Sequence, residues 1–299
     1  MTSTATERRS LGARFGGIVA EIDDDLARRI GRLDLPENLR DAIRYSLFGG
    51  GKRLRPLLTI LSCEAVGGRR DQASDGAAAV EMVHTFSLVH DDLPAMDDDH
   101  LRRGQPTLHV HAGEAMAVLT GDVMLSLAFE WVARADQTAA TRSLLAGELA
   151  RATTGMIAGQ VFDTLGGFPA GQTPAQQLHL IHRLKTAVLL RAACRMGAMC
   201  GGASEIELDA VTRYGEAVGM MFQIVDDLLD VTQTAEHIGK ATGKDSLAGK
   251  LAYPGVHGVQ ATRGRIRQLA TDAREALEPL GERGESLIEL SGYMAVRTR

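Results

Sequence analysis

The sequence predicts an all-α fold: a single-domain helical bundle with a central cavity. Three observations predict it. Apolar residues recur at helical spacing almost throughout, no stretch alternates convincingly with period two, and all eight prolines fall at boundaries or in first turns. The 299 residues are 44% hydrophobic, enough for a large core. No linker, charge block or low-complexity stretch divides them, so residues 1–299 read as one domain whose site lies between helices.

Ile18, Val19, Ile22, Leu26 and Ile30 form the first apolar stripe, closed by Pro36. A second helix covers 37–47 and stops at Gly49-Gly50-Gly51. A third runs from Leu54 to Val66, with Pro56 tolerated in its first turn. Ser74-Asp75 reads as the cap of the next helix, whose apolar run spans 77–89 and which Pro94 ends. Helices follow over 113–132 and 144–162, and from Thr173-Pro174 to Cys200. Ser204-x-x-Glu207 is a capping box before the helix that ends in Asp226-Asp227-Leu228-Leu229-Asp230. Two further helices cover 261–277 and 282–297. The two Asp-bearing helices share an apolar run followed by Asp-Asp-Leu, a pattern compatible with internal duplication.

Composition narrows the function. A net charge of −5 argues against general nucleic-acid binding and leaves anionic substrates to local basic patches. Cys63, Cys194 and Cys200 are an odd count without metal-ligand spacing, which fits a reduced cytoplasm, with Cys194 and Cys200 as small core residues. There is no leader-like apolar region and no run of eighteen apolar residues, so the expectation is a soluble protein without stable membrane insertion.

Two acidic stretches stand out, Asp91-Asp92-Leu-Pro-Ala-Met-Asp97-Asp98-Asp99 and residues 226–230. Asp91 and Asp92 fall near a helix C-terminus, where the macrodipole disfavours anions, and five neighbouring carboxylates repel one another unless a cation intervenes. In the second stretch the i, i+3 and i, i+4 spacings put Asp226, Asp227 and Asp230 on one helix face. Leu228, Leu229 and Val231 alongside them read as buried. All-oxygen clusters of this kind suit Mg²⁺ shared with substrate phosphates, and the two stretches read as facing walls of one metal–phosphate site. A solvated loop or helix cap is the ordinary reading of one such run, less so of two.

Leu88-Val89-His90-Asp91-Asp92-Leu93-Pro94-Ala95-Met96-Asp97, Leu101-Arg102-Arg103-Gly104 and Phe222-Gln223-Ile224-Val225-Asp226-Asp227-Leu228-Leu229-Asp230 resemble the motifs of trans-isoprenyl diphosphate synthases. Gly50-Gly51-Lys52-Arg53-Leu54-Arg55-Pro56, Gly159-Gln160-x-x-Asp163, Lys185-Thr186 and Gly239-Lys240 match the same family in order. The first Asp motif, longer by two residues, is most like that of bacterial farnesyl diphosphate synthases and related geranylgeranyl enzymes.

The resemblance implies head-to-tail condensation of an allylic diphosphate with isopentenyl diphosphate. It implies three Mg²⁺, two held by Asp91 and Asp97 and a third by Asp226, with Asp92, Asp227 and Asp230 in support. Arg102 would clamp the allylic diphosphate with Lys185, Thr186, Gln223, Lys240 and Lys250. Lys52, Arg55, His84 and Arg103 would hold isopentenyl diphosphate, and the enzyme would be a homodimer. The departing diphosphate would accept the proton, in keeping with the lack of a conspicuous side-chain base. Ala187, Ala252 and His100 stand where the family often has Gly, Thr and Asp.

Each assignment has a plainer counterpart. Arg102-Arg103 could be a solvated pair, but beside five Asp they are at least ion-paired. Lys52, Arg53 and Arg55 follow three glycines, where exposed bases cost nothing; in context they read as a phosphate grip. His84, two turns before Asp91 on the same face, would by default be a core histidine. A buried Lys185 needs an anionic partner, for which the substrate is a candidate. His109-x-His111 and His179-x-x-His182 lack completing ligands and read as structural or surface histidines.

Phe86, five residues before Asp91, looks like the aromatic stop of farnesyl synthases, although five helical residues turn it about 140° from Asp91. Ser87, nearer that face, leaves room. A C15 product is favoured, with C20 the alternative. A terpene cyclase would need a different metal triad, yet the only Asn is Asn38, and aromatic content is 4%. A metal phosphohydrolase suggested by His90-Asp91 leaves the second cluster unexplained, and a non-catalytic subunit leaves both clusters and the basic residues unexplained.

Overall fold

The computed structural model describes residues 3–236 and 251–296, with side chains for 15–232 and 251–296. The helices are α1 Ser3–Gly31, α2 Glu37–Phe48, α3 Leu54–Ala65, α4 Ser74–Asp91, α5 Leu108–Ala112, α6 Glu114–Arg134, α7 Ala139–Leu165, α8 Pro174–Ile181, α9 Val188–Cys200, α10 Glu205–Glu236, α11 Tyr253–His257, α12 Val259–Ala276 and α13 Glu285–Val296. The predicted all-α class is what the chain adopts. Two compact units divide it, Met1–Ala150 with Met196–Gly202, and Arg151–Arg195 with Ala203–Arg299.

In the first unit α4 packs against α3 and α6. Residues 76–83 are buried without a break, so α4 is a core helix with no solvent face there. The buried Glu81 within that run is neutralised by Arg53 at 2.8 Å. Helix α6 is long and apolar enough to cross a membrane by length and composition, but Ala117, Met124, Leu127, Ala128 and Trp131 pack into this core. Ser74 and Asp75 do not cap α4 as predicted. A 3₁₀ turn over Arg70–Ala73 runs directly into the helix, leaving no extended N-cap residue. Instead Arg29 of α1 donates to Asp75 at 2.6 Å and to Ser74 at 2.8 Å.

One small hairpin was not legible. β1 Leu101–Arg102 pairs antiparallel with β2 Gln105–Pro106, Arg102 opposite Gln105. Arg103 and Gly104 form its turn with φ of 53° and 80°, the left-handed pair that a two-residue hairpin turn requires.

In the second unit α10 packs on α11, α12 and α13 through a stripe that includes Val211, Tyr214, Val218, Met221 and Val225. Val231 lies off that stripe and is 40% exposed, and Leu228 and Leu229 are both only half-buried, so the expectation that all three are buried is corrected. The Ser204–Glu207 capping box forms as predicted, as does one between Thr173 and Gln176. The predicted helix over 173–200 is interrupted by a π-helical turn, His182–Ala187. Gly159 of α7 lets that turn approach: a Cβ there would stand 2.7 Å from the Leu184 carbonyl carbon and the Lys185 Cα. The predicted 282–297 helix starts late, because a 3₁₀ turn over Glu278–Gly284, broken at Gly281, precedes it.

Candidate active site

Helix α4 ends at Asp91, and the chain then turns back on itself. Met96 N donates to Leu93 O at 2.8 Å, Asp98 N to the same carbonyl at 3.1 Å, and Asp97 N to Asp91 O at 2.9 Å. This return brings the backbone of Asp97 against that of Asp91, and both side chains are partly exposed. Asp92 turns the other way and is buried. Arg102 donates from Nε to both of its oxygens at 2.9 Å and from Nη2 to Oδ1 at 2.6 Å. Burial raises the Asp92 pKa against the opposing pull of Arg102. The hairpin positions Arg102 for this contact, and its ion pairing is as expected.

Next to Arg102, Arg103 departs from the expected ion pairing: among the described residues its side chain, in the left-handed turn, donates from Nη1 to the backbone oxygen Gly50 O. Gly50 and Gly51 have φ of 100° and 147°, and a Cβ on Gly51 would meet Arg103 Nη1 at 2.8 Å. Lys52 is exposed and Arg55 half-buried. Arg53 departs from the reading of three exposed bases. It is buried, reaching Asp23 at 2.6 Å, Glu81 at 2.8 Å and Leu47 O at 2.7 Å. It ties α1 and α4 to the start of α3. His84 is half-buried; burial first, then Arg55, Arg103, Arg102 and Arg53, hold its imidazole well below the usual histidine range. It is therefore neutral at pH 7, a hydrogen-bonding group and not a cation.

In the second unit Asp226 is half-buried and Asp230 exposed, while Asp227 is buried and fully engaged. Its Oδ1 accepts from Gln223 Nε2 at 3.0 Å, and its Oδ2 from Tyr253 N at 2.7 Å with His182 Nε2 at 3.2 Å. Thr186 donates to Gln223 Oε1 at 2.7 Å. Lys185, on the π turn, binds Asp163 of α7 at 2.6 Å, so the anionic partner its burial demands is here supplied by the chain. Lys240 and Lys250 lie outside the described residues.

Phe86 is buried on α4, edge-on to His90 at 5.8 Å. His90 Nε2 faces Val118 O at 3.1 Å, an acceptor, so Nε2 carries the proton. Gly121 of α6 makes room for that ring: a Cβ there would lie 2.7 Å from His90 Cε1. Ser87 is half-buried and donates to His84 O at 2.8 Å. His111 stacks on Tyr45 at 3.9 Å and His109 bonds Thr107 at 3.1 Å, structural roles as expected. His182 is structural too, but spacing alone does not reveal its Asp227 partner; neither it, Tyr253 nor the inward turn of Arg53 leaves a local signal. Asp163 does, as the last residue of the Gly159-Gln160-x-x-Asp163 motif.

Among the described residues no three His, Cys, Asp or Glu side chains form a ready cage for a metal. What the first unit offers is the Asp91–Asp97 return, with two partly exposed carboxylates. That donor set fits Mg²⁺, which binds through one or two carboxylates and leaves its other positions to water and phosphate. A cavity of about 450 Å³ between α1, α3 and the start of α4 holds no predicted site residue. Its rim charges are internally matched, Arg70 with Glu21 at 2.8 Å and Arg28 with Asp25 at 3.0 Å.

The polyprenyl synthetase family model matches residues 36–280. Geranylgeranyl pyrophosphate synthase 7, chloroplastic, of Arabidopsis thaliana is 46% identical over 267 residues, 88% of this chain and 77% of that protein. An FPP/GFPP synthase from Zymomonas mobilis matches with a TM-score of 0.84 at 30% identity, over 97% of this chain and 100% of that one. A geranylgeranyl pyrophosphate synthetase from Pyrococcus horikoshii matches with a TM-score of 0.86 at 29% identity, over 97% and 99%.

Proposed function

Because this chain belongs to the polyprenyl synthetase family and is a prenyltransferase, we propose that it joins an allylic diphosphate, dimethylallyl or geranyl, to isopentenyl diphosphate and releases farnesyl diphosphate and inorganic diphosphate. The observation that carries this reading is the return of Asp97 onto Asp91 beside an Asp92 already saturated by Arg102. It separates partly exposed carboxylates, within reach of a cation, from one that holds the basic hairpin in place.

Arg102, Lys185, Thr186, Gln223, Lys240 and Lys250 bind the allylic diphosphate, and Lys52, Arg55, His84 and Arg103 bind isopentenyl diphosphate. Mg²⁺, three ions held through Asp91, Asp97 and Asp226, supplies charge neutralisation to the leaving group when bound. The basic side chains stabilise the negative charge that grows as the allylic C–O bond breaks. The double bond of isopentenyl diphosphate then forms the new C–C bond, and a proton leaves to the departing diphosphate. Asp92 and Asp227 support the site by holding Arg102 and the π turn, and Asp230 completes the second cluster.

Phe86, fixed against His90, supports the C15 product. A C20 product is the second reading, favoured by relatives such as the Arabidopsis geranylgeranyl pyrophosphate synthase. The exposed apolar Val118 and Leu119 of α6 support a homodimer, and the three free buried cysteines a reducing cytoplasm. The whole chain is proposed as one catalytic domain. The test is to incubate purified protein with Mg²⁺, geranyl diphosphate and isopentenyl diphosphate and identify products by mass spectrometry. Farnesyl diphosphate supports the first reading and geranylgeranyl diphosphate the second; cyclised hydrocarbon, free phosphate or no product rejects both.

A further inference from the structure

The π turn His182–Ala187 is tied to α10 at both ends. At its start His182 is buried, with Nε2 3.2 Å from Asp227 Oδ2; a carboxylate only accepts, so Nε2 is the donor. The other ring nitrogen, Nδ1, is buried without a hydrogen-bond partner, so Asp227 is the polar tether of this ring among the described residues. Near the turn's end Thr186 donates to Gln223, whose amide in turn donates to Asp227 Oδ1 at 3.0 Å. Both tethers therefore converge on one carboxylate. The remaining contact on Asp227, Tyr253 N at 2.7 Å, anchors the first residue of α11, whose ring stacks on His182 at 6.3 Å.

A π turn is rare, mostly a single-turn bulge inside an α-helix, and is frequent at functional sites. Removing the extra residue would rotate α9 by about 100° relative to α8. Lys185 sits between the two tethers, so its aim depends on them. We propose that His182 is a positioning residue: acting through Asp227, it holds the π turn in register and so sets the grip of Lys185 on the allylic diphosphate. Asp227, whose two oxygens accept from Gln223, Tyr253 and His182, serves here as the fulcrum. The inference rests on the prenyl-transfer reading for its substrate and on the π turn's own contacts for its mechanics.

The test compares wild type with His182→Phe, which keeps the ring and its stacking but loses the donor, and with His182→Gln, which restores a terminal N–H. Should His182→Phe fail to fold, His182→Ala makes the same comparison without risk of overpacking. Hydrogen exchange is read at amides 182–187, and KM is measured separately for each substrate. Expected are faster exchange in that turn and an allylic KM raised about tenfold, the effect of one lost charge-assisted hydrogen bond, with the isopentenyl KM unchanged. His182→Gln should recover most of both. Unchanged exchange, or a rise in both KM values alike, overturns the inference. If wild type makes no elongated product the prenyl-transfer reading falls, while exchange at 182–187 still decides whether His182 holds the turn.

Discussion

Gly159 and Lys185 meet backbone to backbone: a Cβ built on Gly159 would lie 2.7 Å from Lys185 Cα, a distance real side chains do not reach. Backbone cannot yield as a side-chain tip can. Gly159→Ala should therefore push the π turn off α7, cost about 1–3 kcal/mol or more, and lower activity at least about tenfold. Gly264→Ala in α12, whose nearest neighbour would be the flexible end of Arg267 at 4.0 Å, should instead stabilise by about 0.5–1 kcal/mol. Thermal melts and steady-state rates on the two variants check the contrast.

Arg102 holds Asp92 by a fork that a lysine cannot reproduce. Arg102→Lys is expected to lower kcat on the order of a hundredfold. The Arg102 side chain is 34% exposed and that of Asp92 4%, so water screens one partner only. Asp92→Asn should accordingly cost about 1–3 kcal/mol, below the figure for a fully buried pair. Urea denaturation of the two variants beside wild type measures this; equal stability would show the pair to be structurally idle.

His84 gives the fold an acid limit. Its folded-state pKa is depressed, by burial and then by the surrounding arginines, well below the ordinary value of 6.5. Above that value neither folded nor unfolded chain is protonated there, and the contribution to stability is intact. As pH falls below it, the unfolded chain takes up a proton that the folded one refuses, and stability is lost at up to about 1.4 kcal/mol per pH unit. His84→Asn should lose less Tm than wild type between about pH 7.5 and 5.5, a window that spans the unfolded value. Parallel losses would exonerate His84.

Phe86→Ala should lengthen the product, from C15 towards C20, in the assay with geranyl and isopentenyl diphosphates. The cavity left by so buried a ring costs about 3–5 kcal/mol, so the comparison belongs at low temperature. An unchanged product profile would remove Phe86 from chain-length control.

Cys63 and Cys200 should resist alkylation in the native protein at about pH 8. Burial pushes their thiols up to about 11 and about 12, leaving almost no thiolate. Peptide mass spectrometry after iodoacetamide, with and without denaturant, reports this; rapid native labelling of either residue would contradict it.

The helices and the first Asp cluster were legible because each has a local cause. Apolar stripes such as Ile22, Leu26 and Ile30 announce themselves, and Pro94 marks where α4 must stop. The Arg102–Asp92 pairing was foreseeable from proximity in sequence. What was hidden depends on distant partners or very short elements. Nothing in Lys52-Arg53-Leu54-Arg55 says that Arg53 is the base that turns inward, since its partners Asp23 and Glu81 are remote in the chain. Strands of two residues have no period to detect, and a six-residue π turn is indistinguishable from helix by pattern. The His182 tether is hidden for the first of these reasons, being set by Asp227 on another helix.

The hairpin at Leu101–Pro106 carries two neighbouring arginines that look to different masters. Arg102 is committed to the carboxylate next to Asp91, and Arg103 to the carbonyl of Gly50, with a single peptide bond between them. A headgroup that draws Arg103 off that carbonyl must tug on the arginine beside it. If Arg102 grips the allylic diphosphate and Arg103 isopentenyl diphosphate, as proposed, the two affinities are coupled through one tight turn, and a mutation meant to tune one there should retune the other.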